Sequence, residues 1–438
     1  MEELSLNRIG LRKEEKAFET RVALIPDQVK SLVNSHGIEF VIEPSTQRAF
    51  KEEEFERVGA TALPLKGSGV PIVLGIKEMP IDFFEKDVVY VFFSHTIKGQ
   101  KYNMPMLQHI MNTGSTLIDY ERVVDDKGRR LIFFGNWAGM AGISETLRVL
   151  GERLEIEGIN PNPFAGMRKT LELKGLEAVK EEFKLLGKRI HEQGLPEELT
   201  PFVVGFAGYG NVSRGAQSLF DLLPHETVQP EDLQDLEPKA NMLFKCVFKE
   251  EDMVEPRDST KKFELQDYYK SGKADYRGVF HSYVQYLTVI MNCIYWTNKY
   301  PRLITKDFIR EHWKEESRKL RVIGDISCDI GGAIEFTLDC TTPAEPAFVY
   351  LINEDRTELG VKGNGPVIMA VDNLPCELPR ESSTSFGETL LEFIPALAKA
   401  DFKASFEDLD LPREIKDAII VYRGKLTKSF EYLNQYLN

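Results

Sequence analysis

Short apolar runs alternate with amphipathic stretches along most of the chain. Residues 71–76 (PIVLGI), 88–94 (VVYVFFS) and 116–119 (TLID) are apolar runs bounded by polar segments, and they read as buried strands. Residues 22–36 carry apolar positions near helical spacing with an early proline, and 140–195 is mostly helical with a break at PNPF, 161–164. A second series begins at Pro201. Residues 202–210 (FVVGFAGYG), 287–296, 320–329 and 366–375 are its strand candidates. The stretch 388–400 (ETLLEFIPALAKA) has the spacing of an amphipathic helix, and 409–435 reads as terminal helices. The polar stretch 225–280 reads as an insertion or mobile lobe outside the core. Strands alternating with helical stretches predict an α/β class with parallel sheets. Two such domains are expected: residues 1–137 completed by 380–438, and residues 138–379. A cleft between them is the default ligand site.

Composition narrows the function. The 438 residues carry 55 Lys and Arg against 69 Asp and Glu, a net charge of −14. Nucleic-acid binding needs an excess of cations to replace counterions, and anionic lipid needs the same, so both are excluded as partners. A small anionic ligand is not, because a pocket can have a sign opposite to the whole surface. No run approaches the roughly 18 apolar residues of a membrane span. The N-terminal stretch lacks the apolar core of a signal peptide. Five cysteines without a CxxC pair fit a reducing, cytoplasmic setting and no zinc site.

The run FVVGFAGYGNVSRGAQ (202–217) carries the first candidate chemistry. An apolar strand runs into Gly208-x-Gly210, and a helical pattern follows. Glycines allow a tight turn and close approach of a pyrophosphate to the free N–H groups of a helix N-terminus. Ser213 stands where the spacing asks for a third glycine; Gly215 is the nearest. A tight turn without a nucleotide is the alternative. The next apolar run, 241–252, offers Lys245 and Lys249, which would suit the 2′-phosphate of NADP, and then acids at 250–252, which would suit NAD.

The second candidate lies in the first domain. Lys77 and Glu78 follow PIVLGI, His95 ends VYVFFS with Lys98 and Gln100 behind it, and Glu121 follows TLIDY ahead of Arg129 and Arg130. Carboxyl ends of parallel strands are where α/β sheets bind ligands. A desolvated lysine and a histidine can move protons near neutrality, and the cations can hold carboxylates. Taken singly, each is as well explained as a solvated or structural residue; their clustering points to one site.

These segments resemble the lysine–ketoglutarate reductase domain of the bifunctional aminoadipic semialdehyde synthases and, more distantly, the lysine-forming saccharopine dehydrogenases. The motifs that carry the resemblance run in order along the chain: ETRVALIP, GIKEMP, FFSHTIKGQKYNMP, LIDYERVVDDKGRRL, AGMAG, GNVSRGAQ, LPHETVQP, NCIYW, PRLIT, GDISCDIGGAIEF, VDNLP and LPRESSTSFG. The resemblance implies two Rossmann-like domains and an NAD(P)-dependent reaction at a CH–NH bond. Lysine and 2-oxoglutarate condense, and the imine is reduced to saccharopine, or the reverse. It implies Lys77 and His95 as acid–base catalysts. Arg21, Glu78, Lys98, Gln100, Glu121, Arg130, Phe134, Ser327, Cys328 and Asp329 fall on its substrate side. Arg129, Gly208, Gly210, Asn211, Val212, Gly215, Tyr295, Ile326, Val371, Asp372, Asn373 and Leu374 fall on its cofactor side. No metal is implied. The turn GYGNVSRG departs from that of the stand-alone dehydrogenases, which turns the expectation to NADP with NAD as the alternative. Lysine, 2-oxoglutarate and saccharopine are the expected small-molecule partners, and a homodimer is the assembly to test. The rival readings are an amino-acid dehydrogenase of the alanine dehydrogenase type and a nucleotide-binding regulator without turnover.

Overall fold

The computed structural model describes residues 7–313 and 318–437. Its contacts divide the chain into two units: Met1–Phe134 with Pro379–Asn438, and Gly135–Leu378. The sequence reading places these divisions at 137 and 379. In the structure a long helix, Gly135–Glu157, opens the second unit.

The first unit is built on an eight-stranded sheet. Six strands are parallel, in the spatial order Thr61–Ala62, Glu39–Ile42, Arg8–Leu11, Ile72–Leu74, Val89–Phe92, Thr116–Asp119. Numbered along the chain this is 3-2-1-4-5-6, the doubly wound order. Runs such as VYVF at 89–92 are apolar at every position because both faces are covered. Val89 and Val91 join a core cluster with Ile9 and Ile118, while Tyr90 and Phe92 join another with Val73 and Leu107. The helix Pro26–His36 starts on its proline and stops at Gly37, whose φ of 63° ends a helix at little steric cost.

Three expectations change. The 409–435 stretch is not mainly helical. Ile419–Tyr422 is a strand running antiparallel to Thr116–Asp119, followed by the hairpin partner Lys425–Leu426 and a 3₁₀ segment. Its run IIVY, three β-branched residues and a tyrosine, is buried throughout, so it covers what would be an open sheet edge. The 388–400 stretch is two helices, Pro379–Leu390 and Ile394–Lys399, because Pro395 fits only a first turn. The polar 225–280 stretch is not outside the core, as described next.

The second unit has its own eight-stranded sheet. Six parallel strands run in the order His225–Val228, Leu243–Phe248, Val203–Ala207, Val289–Asn292, Val322–Asp325, Val367–Met369. Two antiparallel strands, Ala347–Leu351 and Arg356–Leu359, finish one edge. The first two strands of this order come from the supposed insertion. Phe244, Cys246 and Phe248 pack into a core cluster with Tyr276 and Phe280 of the same stretch. The apolar run within 241–252 is therefore a core strand, although charged segments flank it on both sides. No helix among the described residues is long and apolar enough to cross a membrane.

Candidate active site

In the first unit the strand order reverses between Arg8–Leu11 and Ile72–Leu74. The loop after the first of these strands brings Glu14 behind Lys77. Its buried carboxyl accepts the N–H groups of Ile76 at 2.6 Å and Lys77 at 3.0 Å, which fixes how the chain leaves the sheet. Burial, then the charge of Glu19, pushes Glu14 up to about 7 against those bonds. Burial also lowers the basicity of Lys77, and the positive charges of Arg21 and Lys16 add to it. Arg21 is buried in a pair with Glu19, its Nε 2.7 Å from Oε1. The same guanidinium lies 4.1 Å over the ring of Phe134, which stacks at 4.6 Å on Phe386.

Glu78 lies beside His95, with a carboxyl oxygen 2.5 Å from Nδ1. Burial pushes this carboxyl up, but the hydrogen bond and charge of His95 outweigh it and hold Glu78 below the usual carboxylate range. His95 occupies a left-handed backbone conformation, φ 48°, at the end of its strand. That strained position has support. The Asn103 amide donates to the carbonyls of Ser94 at 3.0 Å and His95 at 3.3 Å. Asp119 accepts the Ser94 N–H and hydroxyl and, at 2.7 Å, the N–H of Glu121. It therefore ties two strand ends together. Burial pushes it to about 6. Glu121 is paired with Arg130.

Of the first-unit candidates, Arg21 is buried and Lys77, Glu78, His95 and Phe134 are half-buried in this region, and Glu121 and Arg130 form a pair at its edge. Lys98 and Gln100 lie on the turn that follows, the Lys98 N–H bonded to the Gln100 side chain at 3.1 Å. Arg129 projects from an exposed turn and is held by Asp125 at 2.7 Å. Sequence reasoning missed Glu14, Asn103 and Asp119. Glu14 was hidden in the charged run RKEEK, and its signal was position, directly after an apolar strand; Asp119 is the one charge in the run TLID.

In the second unit Val203–Ala207 ends in the glycine turn. Gly208 has φ 94°, and its N–H bonds to the Phe248 carbonyl at 2.9 Å. Gly210 caps the helix Asn211–Phe220, and a Cβ there would meet nothing within 4 Å. This open cradle at a helix N-terminus fits a dinucleotide's phosphates. It opens on a cavity of about 460 Å³ lined by Tyr209, Glu250, Tyr268, Tyr269 and Tyr295. Glu250 follows the strand next to the glycine strand and accepts the Tyr269 hydroxyl at 2.7 Å.

Three cofactor-side candidates make close packing contacts. A Cβ on Gly215 would come within 2.0 Å of the Asn136 carbonyl, so this glycine lets two helices touch. Ile326 and Leu374 pack side chains against Gly142 of the long helix. Asn211 holds Arg214, Val212 is partly buried against the core, and Val371 pairs with Thr341. Asn373 is buried and Asp372 exposed. Lys245 lies within the strand Leu243–Phe248, and its amine is 2.5 Å from Asp221. Ser327 donates to the Ile294 carbonyl at 2.5 Å, and Cys328 and Asp329 continue its loop. Asp325 orders that loop by accepting from Asn292, Thr337 and the Cys328 N–H.

Known proteins agree with this architecture. Residues 10–141 match the alanine dehydrogenase/PNT N-terminal domain, and residues 273–429 the C-terminal domain. The α-aminoadipic semialdehyde synthase of Arabidopsis thaliana is 36% identical over 95% of this chain, which covers 40% of that protein. The chain thus spans less than half the length of the synthases it matches. The saccharopine dehydrogenase [NAD(+), L-lysine-forming] of Emericella nidulans is 28% identical over 88% of this chain and 90% of its own. Among solved structures, an L-alanine dehydrogenase superposes with a TM-score of 0.61 at 19% identity, covering 98% of this chain and 100% of its own. A transhydrogenase from Sinorhizobium meliloti gives 0.56 at 14%, covering 96% and 100%; both likenesses concern the fold. Both domains of one family are present in order, and the chain belongs to the alanine dehydrogenase/PNT family, with aminoadipic semialdehyde synthases and lysine-forming saccharopine dehydrogenases as its homologues.

Proposed function

We propose that this chain is a pyridine-nucleotide oxidoreductase that makes or breaks the secondary amine of saccharopine, joining L-lysine to 2-oxoglutarate. The observation that carries the reading is a half-buried lysine of lowered basicity next to a carboxylate-braced histidine, Lys77 and Glu78–His95, at the carboxyl ends of adjacent parallel strands. The names of the relatives supply the substrate class.

The residues divide the proton work. Condensation needs a neutral amine and a proton for the departing hydroxyl. Lys77, favoured neutral by its surroundings, takes a proton from an incoming ammonium. Glu78 holds Nδ1–H of His95, which leaves Nε2 to carry the proton that departs with water. In this reading Arg130 and Lys98 take the substrate's carboxylates, and Arg21, held by Glu19, lowers the basicity of Lys77. When bound, the nicotinamide supplies the hydride that reduces the carbon–nitrogen double bond.

Gly208 and Gly210 would hold the pyrophosphate, and Glu250 the ribose hydroxyls. With an acid at that position and Lys245 tied to Asp221, NAD is favoured over the NADP of the sequence reading. Nucleotide oxidation followed with lysine plus 2-oxoglutarate, and separately with pyruvate plus ammonia, tests the reading. Oxidation of NADH faster than NADPH in the first mixture only is expected. Activity in the second mixture alone makes the chain an alanine dehydrogenase, and none in either revives the regulator.

A further inference from the structure

Cys328 and Cys340 stand apart from the other thiols. Cys246, Cys293 and Cys376 are buried, and burial pushes the first two up in pKa. Cys328 and Cys340 are partly exposed, and their sulfurs are 3.0 Å apart without a bond. A disulfide needs roughly 2 Å, so an approach of about 1 Å separates the two states. Both residues rest on one strand end: the Cys328 sulfur lies 2.9 Å from the Ala370 carbonyl, and Thr341, next to Cys340, donates its N–H to the same carbonyl at 2.8 Å. The loop between them is folded on itself, with Gly331 bonded to Thr337 and Gly332 to Asp329.

The structure assigns to Cys328 and Cys340 a redox-active dithiol, a modification site for small-molecule disulfides. The Cys328 S–H is held by the Ala370 carbonyl at 2.9 Å, so Cys340 is the thiol that gives up its proton first and becomes the attacking group. That thiolate attacks one sulfur of the small disulfide, forms a mixed disulfide and expels one thiolate. Cys328 then loses its proton and attacks the Cys340 sulfur, and the second thiolate leaves. Two protein thiols are oxidised to one disulfide, and one small disulfide is reduced to two thiols. The bond pins the loop that carries Ser327 and Asp329 to the segment beside Val371. A consequence for turnover rests on the function proposed above; the bond formation does not.

The test incubates the reduced chain with oxidised glutathione. The denatured protein should lose two of its five titratable thiols, the intact mass should fall by two hydrogens with no glutathione retained, and a digest should yield one peptide pair joining 328 to 340. Cys340→Ser, which leaves the reduced enzyme's turnover unchanged, should form no such pair. The oxidised wild type should lose about fivefold in turnover, restored by dithiothreitol, as expected when a loop is held in one position. Five thiols remaining after oxidant, or a glutathione adduct persisting on Cys340, would overturn the assignment. Because mass and thiol count need no substrate, they decide the matter even if no amine–ketoacid pair is turned over.

Discussion

Both units reverse their strand order beside their first strand, and both place their chemistry there, yet they fill the position with opposite materials. In the first unit the reversal holds charge: Glu14 and Glu19, buried in the loop after Arg8–Leu11, and Lys77 and Glu78, half-buried after Ile72–Leu74. In the second it holds Gly208 and Gly210, open space and a ring of tyrosines. One topology therefore yields two kinds of site. Desolvated titratable groups shift one another's proton affinities; absent side chains let a phosphate approach backbone N–H groups. The two units do share one device. Asp119 and Asp325 each end a strand, are buried, accept three hydrogen bonds and are pushed by burial to about 6.

The sharpest way to break this contrast is to remove the proton carriers of the first unit. Lys77→Met and His95→Gln are each expected to lower kcat by about 10²–10⁴-fold, the usual range for losing a general acid or base. Gln at 95 still donates to Glu78, so the fold should persist. Nucleotide affinity, read by fluorescence titration, should stay unchanged in both. A parallel loss of affinity would mean that the two units do not divide the labour.

The glycines of the second unit divide in turn. Gly215→Ala puts a methyl 2.0 Å from a carbonyl oxygen that belongs to backbone, so the helices must separate, at a cost of about 1–3 kcal/mol or more. A fall in Tm with little change in nucleotide affinity per folded molecule is expected. Gly210→Ala meets no protein atom within 4 Å and should leave Tm unchanged. Its methyl enters the cradle instead, and affinity for NADH should fall about tenfold or more, as where backbone must approach the pyrophosphate. Equal effects of the two variants would erase the distinction between a packing glycine and a binding one.

Much of this was legible because apolar runs of four or more residues mark two-sided strands whatever surrounds them. Residues 89–92 and 203–207 are of that kind. The position of Lys77 and His95 followed from strand ends alone. What stayed hidden shares one physical cause. The place of the run 243–248 in the core and the burial of Glu14 were obscured by the charged stretches around them, and charge in a sequence reads as solvent until a partner comes near. The partners of Glu14 are backbone N–H groups just past a strand sixty-odd residues on, and that of Lys245 is a helix-end acid, Asp221. Neither is visible in local spacing. Ser213 misled in the opposite sense: it breaks the glycine spacing, yet the close approach needed there is made by Gly215.

Glu14 allows the smallest and most specific test of the buried-charge half of the contrast. Its pKa rises from 4.5 to about 7 on folding. Between those values the folded chain holds a proton that the unfolded chain has lost, so stability falls as pH rises through the window and levels off above about 7. At 1.36 kcal/mol per unit the full effect is at most about 3 kcal/mol. Glu14→Gln cannot ionise and should lack this share of the slope, while Asp119 and Asp325, which titrate in the same direction, contribute equally to both proteins. Chemical denaturation of wild type and variant at pH 5 and pH 8 measures the difference. The variant should lose relative stability at pH 5, where the wild-type acid is neutral and well placed, and regain it at pH 8. An equal difference at both values would mean that Glu14 is ionised in the folded protein throughout, and that the strand end beneath Lys77 is held by a full charge rather than by a neutral acid.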